Sequence, residues 1–312
     1  MQSATFRSTD GQTITYYTWY PSGTPRSLVV IAHGMAEHPL RYNEFANFLC
    51  KHGCVVCAPA HRGHGATGRQ ANLALGLPLG YFADQDGWLK VVDDLNILIA
   101  LIKKDYSDLP LTLFGHSMGS FLTRSYLLRY SKKLNGAILC GTAGTADAST
   151  ALMRIMSAAL CRLQGDKAVS PLLNTLVNQQ NNRGIKHART TFDWLSRDVA
   201  AVDLYIADAD CGFPCTNGFF RDLADGWRDY SNLKLYDNIS PELPLLLISG
   251  TADPVGNFGR GVKKSADLYR RHGLKDVQLK LWPEARHELL NEVNRHEIYQ
   301  FVVDWLESRH LL

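Results

Sequence analysis

A glycine-flanked serine in the middle of the chain has the residue types and spacing of an activated nucleophile. The pentapeptide Gly115-His116-Ser117-Met118-Gly119 follows an apolar run at 109–114 and precedes a helical pattern at 121–130. A strand that turns abruptly into a helix crowds its pivot residue, so only small neighbours fit two positions to either side. The following helix N-terminus offers backbone N–H groups to a developing oxyanion. The spacing therefore predicts that Ser117 is a nucleophile rather than the cap of a glycine-rich turn.

A serine nucleophile needs a base to take its proton and an acid to orient that base. With this motif the chain order is serine, acid, histidine, and each residue lies just beyond a strand. Asp253 follows the apolar run 245–249, whereas Asp267 lies within a helical pattern and Asp276 precedes its strand. Of the four later histidines only His287 follows a strand; the others lie in helical patterns or the C-terminal tail, at His272, His296 and His310. The predicted triad is Ser117, Asp253 and His287.

Two backbone N–H groups are expected to bind the oxyanion. One belongs to Met118, directly after the nucleophile. The other is expected from Met35, in the loop after the apolar run 28–32, where Gly34 permits close backbone approach. Candidate substrate contacts come from the same loop and from the neighbour of the nucleophile: His33, Gly34, Glu37, His38 and His116. For His33, Glu37 and His38, a hydrogen bond that supports the loop is the alternative role.

Apolar patterning predicts the elements that position these residues. Residues 3–20 have the pattern of a β-hairpin around Asp10-Gly11. Short apolar runs rich in β-branched residues predict buried parallel strands at 28–32, 54–58, 111–115 and 137–140, and two further core strands are predicted at 243–249 and 277–282. Helical patterns lie between and after them, including those at 41–52, 89–103, 261–272 and 294–308. Strands alternating with helices predict an α/β protein with a doubly wound, mostly parallel sheet.

This alternation stops after Thr142, where an insertion is predicted. Residues 145–240 show helical stretches and loops without a convincing buried strand. We therefore expect a core in two parts, 1–144 and 241–312, with a helical cap, or lid, at 145–240. The first cap helix carries an apolar stripe that is expected to pack on the core or roof an apolar cleft: Leu152, Ile155, Met156, Ala159, Leu160 and Leu163. The segment 210–220 is expected to be a loop.

Composition and charge exclude some classes of function and indicate where the protein is located. The chain has 312 residues, and its 33 basic and 30 acidic residues give a formal charge of +3, too small a field to recruit nucleic acid. The first residues have no apolar signal core and no later stretch is long enough to span a bilayer, so a cytoplasmic protein is expected. Seven cysteines, several in apolar surroundings, indicate buried thiols in a reducing compartment.

No metal and no cofactor are expected. Three groups have partial ligand spacing: Cys50/Cys54/Cys57, His61/His64 and His287/Asn291. Cys54 and Cys57 fall in one predicted strand at an odd separation, which points them to opposite faces. The histidine pair has no third ligand fixed nearby by the sequence, and Asn291 occupies the second ligand position of a zincin helix. No nucleotide or redox cofactor motif is present.

Taken as an ordered set, the motifs resemble the monoacylglycerol lipase and lysophospholipase branch of the α/β-hydrolases. The set comprises His33 to His38 with Arg41-Tyr42, Arg62-Gly63-His64-Gly65, Gly115 to Gly119, Gly250 to Asp253, and Glu284 to His287. The resemblance implies an α/β-hydrolase fold with a helical lid, and hydrolysis of carboxylic esters with acyl chains through an acyl-serine intermediate. Ala60, where such sequences often carry aspartate, and Ser120, where a third glycine is common, depart from the pattern without touching this chemistry.

Two other functions stay open at this point. A serine peptidase of the iminopeptidase type would need lid carboxylates to bind a free amine, and candidates are present at Asp198, Asp203, Asp208 and Asp210. A ligand-binding protein could keep the fold and lack the chemistry. The expected partner is a small acyl ester, with transient contact between the lid and a membrane or lipid aggregate. Acyl-chain length, head group and oligomeric state do not follow from the sequence.

Overall fold

One eight-stranded sheet forms the centre of the molecule in a computed structural model that describes residues 1–312. In chain order its strands are β1 (Gln2–Arg7), β2 (Thr13–Trp19), β3 (Ser27–Ala32), β4 (Cys54–Pro59), β5 (Leu111–His116), β6 (Gly136–Cys140), β7 (Leu245–Gly250) and β8 (Val277–Trp282). Their order across the sheet is β1-β2-β4-β3-β5-β6-β7-β8. The pairs β1/β2 and β2/β4 are antiparallel and all other pairs are parallel. The predicted hairpin and all six predicted core strands are confirmed.

The strand order changes direction at β3, which lies between β4 and β5. In open parallel sheets such a switch point leaves a crevice beyond the carboxyl ends of the strands, where ligands bind. The loop after β3 carries the predicted oxyanion donor and the turn after β5 carries the predicted nucleophile. The topology therefore brings two sequence-distant motifs to one crevice.

Ten α-helices surround the sheet: α1 (Asn43–Lys51), α2 (Gly65–Leu75), α3 (Gly87–Asp105), α4 (Met118–Tyr130), α5 (Ala148–Gln164), α6 (Pro171–Asn182), α7 (Val199–Ala207), α8 (Asn217–Tyr230), α9 (Arg260–Arg271) and α10 (Arg295–Glu307). The four predicted helical patterns correspond to α1, α3, α9 and α10. One apolar core joins a face of the sheet to α3, α4, α8 and α9, and a second joins the other face to α1 and α10. Cys57 lies in the first core and Cys54 in the second, so they face opposite sides as predicted.

Four helices, α5 to α8, lie between β6 and β7. Asp147 begins α5 with a capping box that it shares with Thr150. The last of the four, α8, packs against α3, α4 and α5 and so joins the inserted segment to the core. It begins at Asn217, inside the segment expected to be a loop, because the side chain of Thr216 accepts the N–H of Phe219 and caps the helix.

The apolar stripe of α5 differs from the expectation. Leu152, Ile155 and Leu163 are 56%, 67% and 81% exposed, and Ala159 is exposed too, so the predicted packing is wrong for these four side chains. Met156 and Leu160 are partly buried against the main core, and α5 as a whole packs on α8. No helix of the protein combines the length and apolar character needed to cross a membrane.

Candidate active site

Ser117 stands at the sharp turn between β5 and α4. Its backbone has φ 52° and ψ −121°, a conformation that is strained for a residue with a side chain. A Cβ on Gly119 would overlap the Ala32 carbonyl of β3, and a Cβ on Gly115 would overlap the carbonyl of Gly119. Only glycine fits at these two positions, which is the steric requirement inferred from the motif. The turn is therefore held by close backbone packing around the serine.

Asp253 and His287 form a buried hydrogen-bonded pair. The Nδ1–H of His287 donates to Oδ1 of Asp253 at 3.0 Å, and the two side chains are almost wholly buried. Asp253 also accepts the N–H of Val255 at 2.9 Å and the hydroxyl of Ser249 at 3.2 Å, which fixes the carboxylate. Because Nδ1 carries the proton, Nε2 presents a lone pair, and it has no hydrogen-bond partner.

The environment of His287 favours its protonated form. Burial, the largest single effect, lowers the pKa of His287, whereas the adjacent Asp253 carboxylate raises it through charge and hydrogen bonding. Glu288 and Glu37 add smaller contributions of the same sign, and the net pKa of His287 lies above its ordinary value of 6.5. The imidazole is thus a stronger base than a free histidine.

Backbone contacts bring Ser117 and His287 to the same edge of the sheet. The N–H of Ser117 donates to the Cys140 carbonyl at the end of β6, at 2.9 Å. The next residue, Gly141, lies against His287, since a Cβ there would be 3.1 Å from Cε1 of the imidazole. The ring of His116 is 4.9 Å from that of His287, centroid to centroid. Ser117, His116 and His287 all line one cavity.

The loop after β3 lies beside the nucleophile. A Cβ on Gly34 would be 3.3 Å from Cβ of Ser117, so the backbone of this loop approaches the serine closely. The N–H groups of Met35 and Met118 have no acceptor within the protein, and both residues line the cavity. The N–H of Gly34, in contrast, donates to Glu37. The two N–H groups expected to bind an oxyanion are therefore unpaired.

A buried ionic network joins this loop to the histidine loop. Arg41 donates to Glu37 at 2.7 Å and to both oxygens of Glu288, at 2.5 and 2.7 Å. The hydroxyl of Tyr42 donates to Glu37 at 2.7 Å. Burial raises the pKa of Glu37 and Glu288, but the guanidinium of Arg41 outweighs it and holds both below the ordinary value. Glu288 directly follows His287, so the network fixes the two loops relative to each other.

Two of the five candidate substrate contacts lie away from the cavity. His33 donates from Nδ1 to the Gly34 carbonyl at 2.8 Å, and its Nε2 accepts the N–H of His61 at 3.0 Å. His38 Nε2 lies 2.8 Å from Asp208. Both histidines thus make the loop-supporting contacts that were the alternative to substrate binding. The other three candidates line the cavity: Gly34, Glu37 and His116.

The cavity has a volume of about 610 Å³ and is closed partly by the inserted helices. Its wall on that side combines polar side chains with an apolar group that comprises Met153, Val177, Phe192, Trp194, Phe213, Leu223 and Trp227. The ring of Trp194 lies 4.9 Å from that of His287. The sequence analysis did not identify Trp194, Arg41 or Glu288 as site residues. The sequence does contain a signal for Arg41, because an arginine four residues after Glu37 can pair with it. The contacts of Trp194 with His287 and of Glu288 with Arg41 join distant parts of the chain and depend on the fold.

One group of three side chains has the types and proximity of metal ligands: His38, Asp208 and Cys211, whose ligand atoms lie within 4.8 Å of one another. His38 and Asp208 already bind each other, and burial raises the pKa of the Cys211 thiol. The group is therefore accounted for as a contact between two loops. His61 and His64 each have a buried Nε2 without a partner, and neither is grouped with further ligands.

A protein family and several known proteins match most of this chain. The Hydrolase_4 family, described as serine aminopeptidase, S33, matches residues 23–294. The chain belongs to this family. A monoacylglycerol lipase of Mycolicibacterium smegmatis is 28% identical over 304 residues, covering 97% of this chain and 96% of that protein. The monoglyceride lipase of Mus musculus is 27% identical over 304 residues, covering 91% of this chain and 86% of that protein.

Solved structures of other proteins share the whole fold. A thermostable carboxyl esterase from Bacillus coagulans, solved in complex with glycerol, superposes with a TM-score of 0.90 at 26% identity. The superposition covers 99% of this chain and 98% of the esterase. The α/β-hydrolase fold implied by the motifs is thereby confirmed for this member of the Hydrolase_4 family.

Proposed function

We propose that the protein is a serine hydrolase that cleaves carboxylic esters of acyl lipids through an acyl-serine intermediate. The observation that carries this proposal is the buried Asp253–His287 pair, whose free Nε2 lies in the same cavity as the strained Ser117. Full-length relatives named monoacylglycerol lipase and monoglyceride lipase support an ester of glycerol as substrate.

In the first half of the reaction, Ser117 Oγ attacks the ester carbonyl carbon while its proton passes to Nε2 of His287. The N–H groups of Met35 and Met118 donate to the oxyanion of the tetrahedral intermediate. The intermediate collapses, the alcohol leaves with the proton from Nε2, and the acyl group stays on Ser117. Asp253 keeps the Nδ1–H tautomer throughout and stabilises the transient imidazolium.

The second half uses water as the nucleophile. Nε2 of His287 takes one proton from a water molecule, and the water oxygen attacks the acyl carbonyl. The same two N–H groups donate to the oxyanion of the new tetrahedral intermediate. When it collapses, Ser117 Oγ recovers the proton from His287 and the carboxylic acid is released, so the enzyme returns to its initial state.

The cavity wall supports an acyl-chain substrate. Ligand pockets of a few hundred cubic ångströms, lined mainly by apolar side chains, bury most of the surface of a small ligand. Here aromatic and aliphatic side chains such as Trp227, Phe213 and Val177 form the side of the cavity contributed by 145–240. We propose that this segment acts as the cap that encloses the acyl chain, between core parts 1–144 and 241–312.

The peptidase alternative is less well supported, although the family description names an aminopeptidase. Each of the four lid carboxylates already has a basic partner: Asp198 with Arg295, Asp203 with Arg189, Asp208 with His38, and Asp210 with Arg69. None of the four lines the cavity. The glutamates that do line it are paired with Arg41. The one other acid in the lining, Asp147, accepts the N–H groups of Ser149 and Thr150 as the N-cap of α5.

The outer surface of the cap supports contact with a lipid aggregate. Leu152, Ile155 and Leu163 are exposed on α5, and Leu172 and Leu176 are exposed on α6. The same two helices contribute residues to the cavity wall. We propose that this apolar surface rests transiently on the aggregate from which the substrate enters.

Turnover of monoacylglycerols of increasing chain length tests the proposed function. Because each buried CH₂ contributes about 0.8 kcal/mol, kcat/KM should rise several-fold per added carbon up to medium or long chains. Ser117→Ala should remove turnover almost completely. Alanyl and prolyl anilides should be poor substrates. Ester hydrolysis by Ser117→Ala at the parent rate, or a preference for an anilide, would contradict the proposal.

A further inference from the structure

The loop that carries the Met35 N–H adopts a conformation that its own sequence does not favour. Ala36 has φ 50°, in the left-handed region, which is unfavourable by about 1 kcal/mol or more for a residue with a Cβ. Such a conformation persists only where the surrounding structure fixes it. The contacts that fix Ala36 therefore help to determine the direction of the N–H group of Met35, the residue before it.

On the core side, hydrogen bonds fix the peptide units around Gly34. The imidazole of His33 donates to the Gly34 carbonyl, and Glu37 accepts the Gly34 N–H. The Gly34 carbonyl and the Met35 N–H belong to one planar peptide unit. The bond from His33 thus orients the Met35 N–H from one end of the loop.

On the other side, the loop is held by the cap. Ala36 accepts two hydrogen bonds at its carbonyl, from the hydroxyl of Tyr205 at 3.0 Å and from the N–H of Gly212 at 2.9 Å. Tyr205 lies on α7 and is buried, and its ring packs 4.7 Å from the guanidinium of Arg41. Both donors to Ala36 come from the segment 205–212, so both hydrogen bonds are lost if that segment moves away.

We infer that Tyr205 is a positioning residue, which acts through the Ala36 carbonyl to hold the Met35 N–H at the oxyanion site. The inference rests on the proposed function and deepens it, because it makes the oxyanion site depend on the cap. A cap displaced from the loop releases Ala36 and leaves the oxyanion with one well-placed donor. The movement of the cap that encloses the substrate then also places the Met35 N–H that activates the substrate carbonyl.

The test is Tyr205→Phe, which removes the hydroxyl and keeps the ring against Arg41. Misplacing one oxyanion donor should lower kcat about tenfold with KM nearly unchanged, since loss of a donor lowers kcat by about 100-fold or more. A thionoester provides a second readout, because its sulfur is a weak hydrogen-bond acceptor. The variant should lose much more activity on the oxygen ester than on the matched thionoester.

Tyr236→Phe is the matched control. Tyr236 is buried, and its hydroxyl donates to the Tyr230 carbonyl at 2.9 Å. This variant loses the same kind of hydrogen bond and should keep the parent kcat and the parent ester-to-thionoester ratio. Equal kinetic losses in both variants, or an unchanged ratio in Tyr205→Phe, would overturn the inference.

Titration with a fluorophosphonate separates this inference from the proposed function. If the parent enzyme and Tyr205→Phe are both labelled to one equivalent at Ser117, the altered ester-to-thionoester ratio supports the inference. The same labelling with parent kinetics in Tyr205→Phe overturns the inference alone. Absence of labelling at Ser117 in the parent enzyme overturns the proposed function, and the inference with it.

Discussion

Gly34→Ala tests how closely the oxyanion loop must approach the nucleophile. An added Cβ would lie 2.7 Å from Oε1 of Glu37, 3.3 Å from Cβ of Ser117 and 3.4 Å from Cδ2 of His116. The first contact cannot relax easily, because Glu37 is held by Arg41 and Tyr42. The loop must therefore move away by several tenths of an ångström.

That movement should displace the adjacent Met35 N–H from the oxyanion. Loss of one such donor lowers kcat by about 100-fold, which corresponds to about 2.7 kcal/mol of transition-state stabilisation. KM should change little, since the ground-state ester makes weaker hydrogen bonds than the oxyanion. Initial rates with a soluble p-nitrophenyl ester, over a range of substrate concentrations, measure both parameters.

Gly23→Ala is the matched control, because a Cβ at Gly23 would have no atom within 4 Å. Both variants should stay folded in thermal unfolding, so that a kinetic loss in Gly34→Ala reports on the site. A parent-like kcat in Gly34→Ala would refute the reasoning. A comparable loss in Gly23→Ala would show that the effect is not specific to the loop.

Three further predictions concern ionisable groups. Activity should fall as the pH drops through an apparent pKa above 6.5, because the base must be neutral and Asp253, Glu288 and Glu37 together raise the pKa of His287 against the effect of burial. A kcat/KM profile that is flat from pH 8 to pH 6 would contradict this. Arg41→Gln leaves the buried carboxylates of Glu37 and Glu288 without a counter-charge, so urea unfolding at pH 7 should show a free energy of unfolding lower by about 3–5 kcal/mol. Part of this loss should be recovered at pH 5, as the two carboxylates protonate. A parent-like free energy of unfolding would exclude a stabilising role for Arg41. Burial raises the pKa of Asp222 from 3.8 to about 7, so the contribution of this side chain to stability is lost as the pH rises through that value. Asp222→Asn should therefore raise Tm by several degrees at pH 8 and by less at pH 5. An equal change in Tm at both pH values would contradict the raised pKa of Asp222.

The sequence predicts the parts of the site that depend on local order. Ser117 and Asp253 follow strands that are buried at every position and mostly apolar, which makes them readable in the sequence, and His287 follows the partly buried strand β8. In parallel sheets the carboxyl ends share one edge, so the order of motifs predicts that the three side chains lie at that edge. Gly34 could be recognised as a site residue because the loop after β3 must approach the nucleophile closely, which a glycine permits.

Long-range contacts were beyond the sequence. The Arg41–Glu288 pair spans 247 residues, and the Tyr205–Ala36 bond spans 169. Neither pairing has a periodic signal, since the first depends on how two loops of the core meet and the second on how segment 145–240 packs over the loop after β3. The stripe on α5 shows the same limit, because an apolar helix face at 3.6 periodicity predicts burial, whereas Leu163 faces solvent.

The central claim is that Ser117 is the nucleophile that His287 activates. Incubation with a fluorophosphonate, followed by proteolysis and mass spectrometry, measures this directly. The account predicts one equivalent of adduct on the peptide that contains Ser117, complete loss of esterase activity on labelling, and no adduct in Ser117→Ala. Adduct on a different residue, or esterase activity that survives full labelling of Ser117, would contradict it.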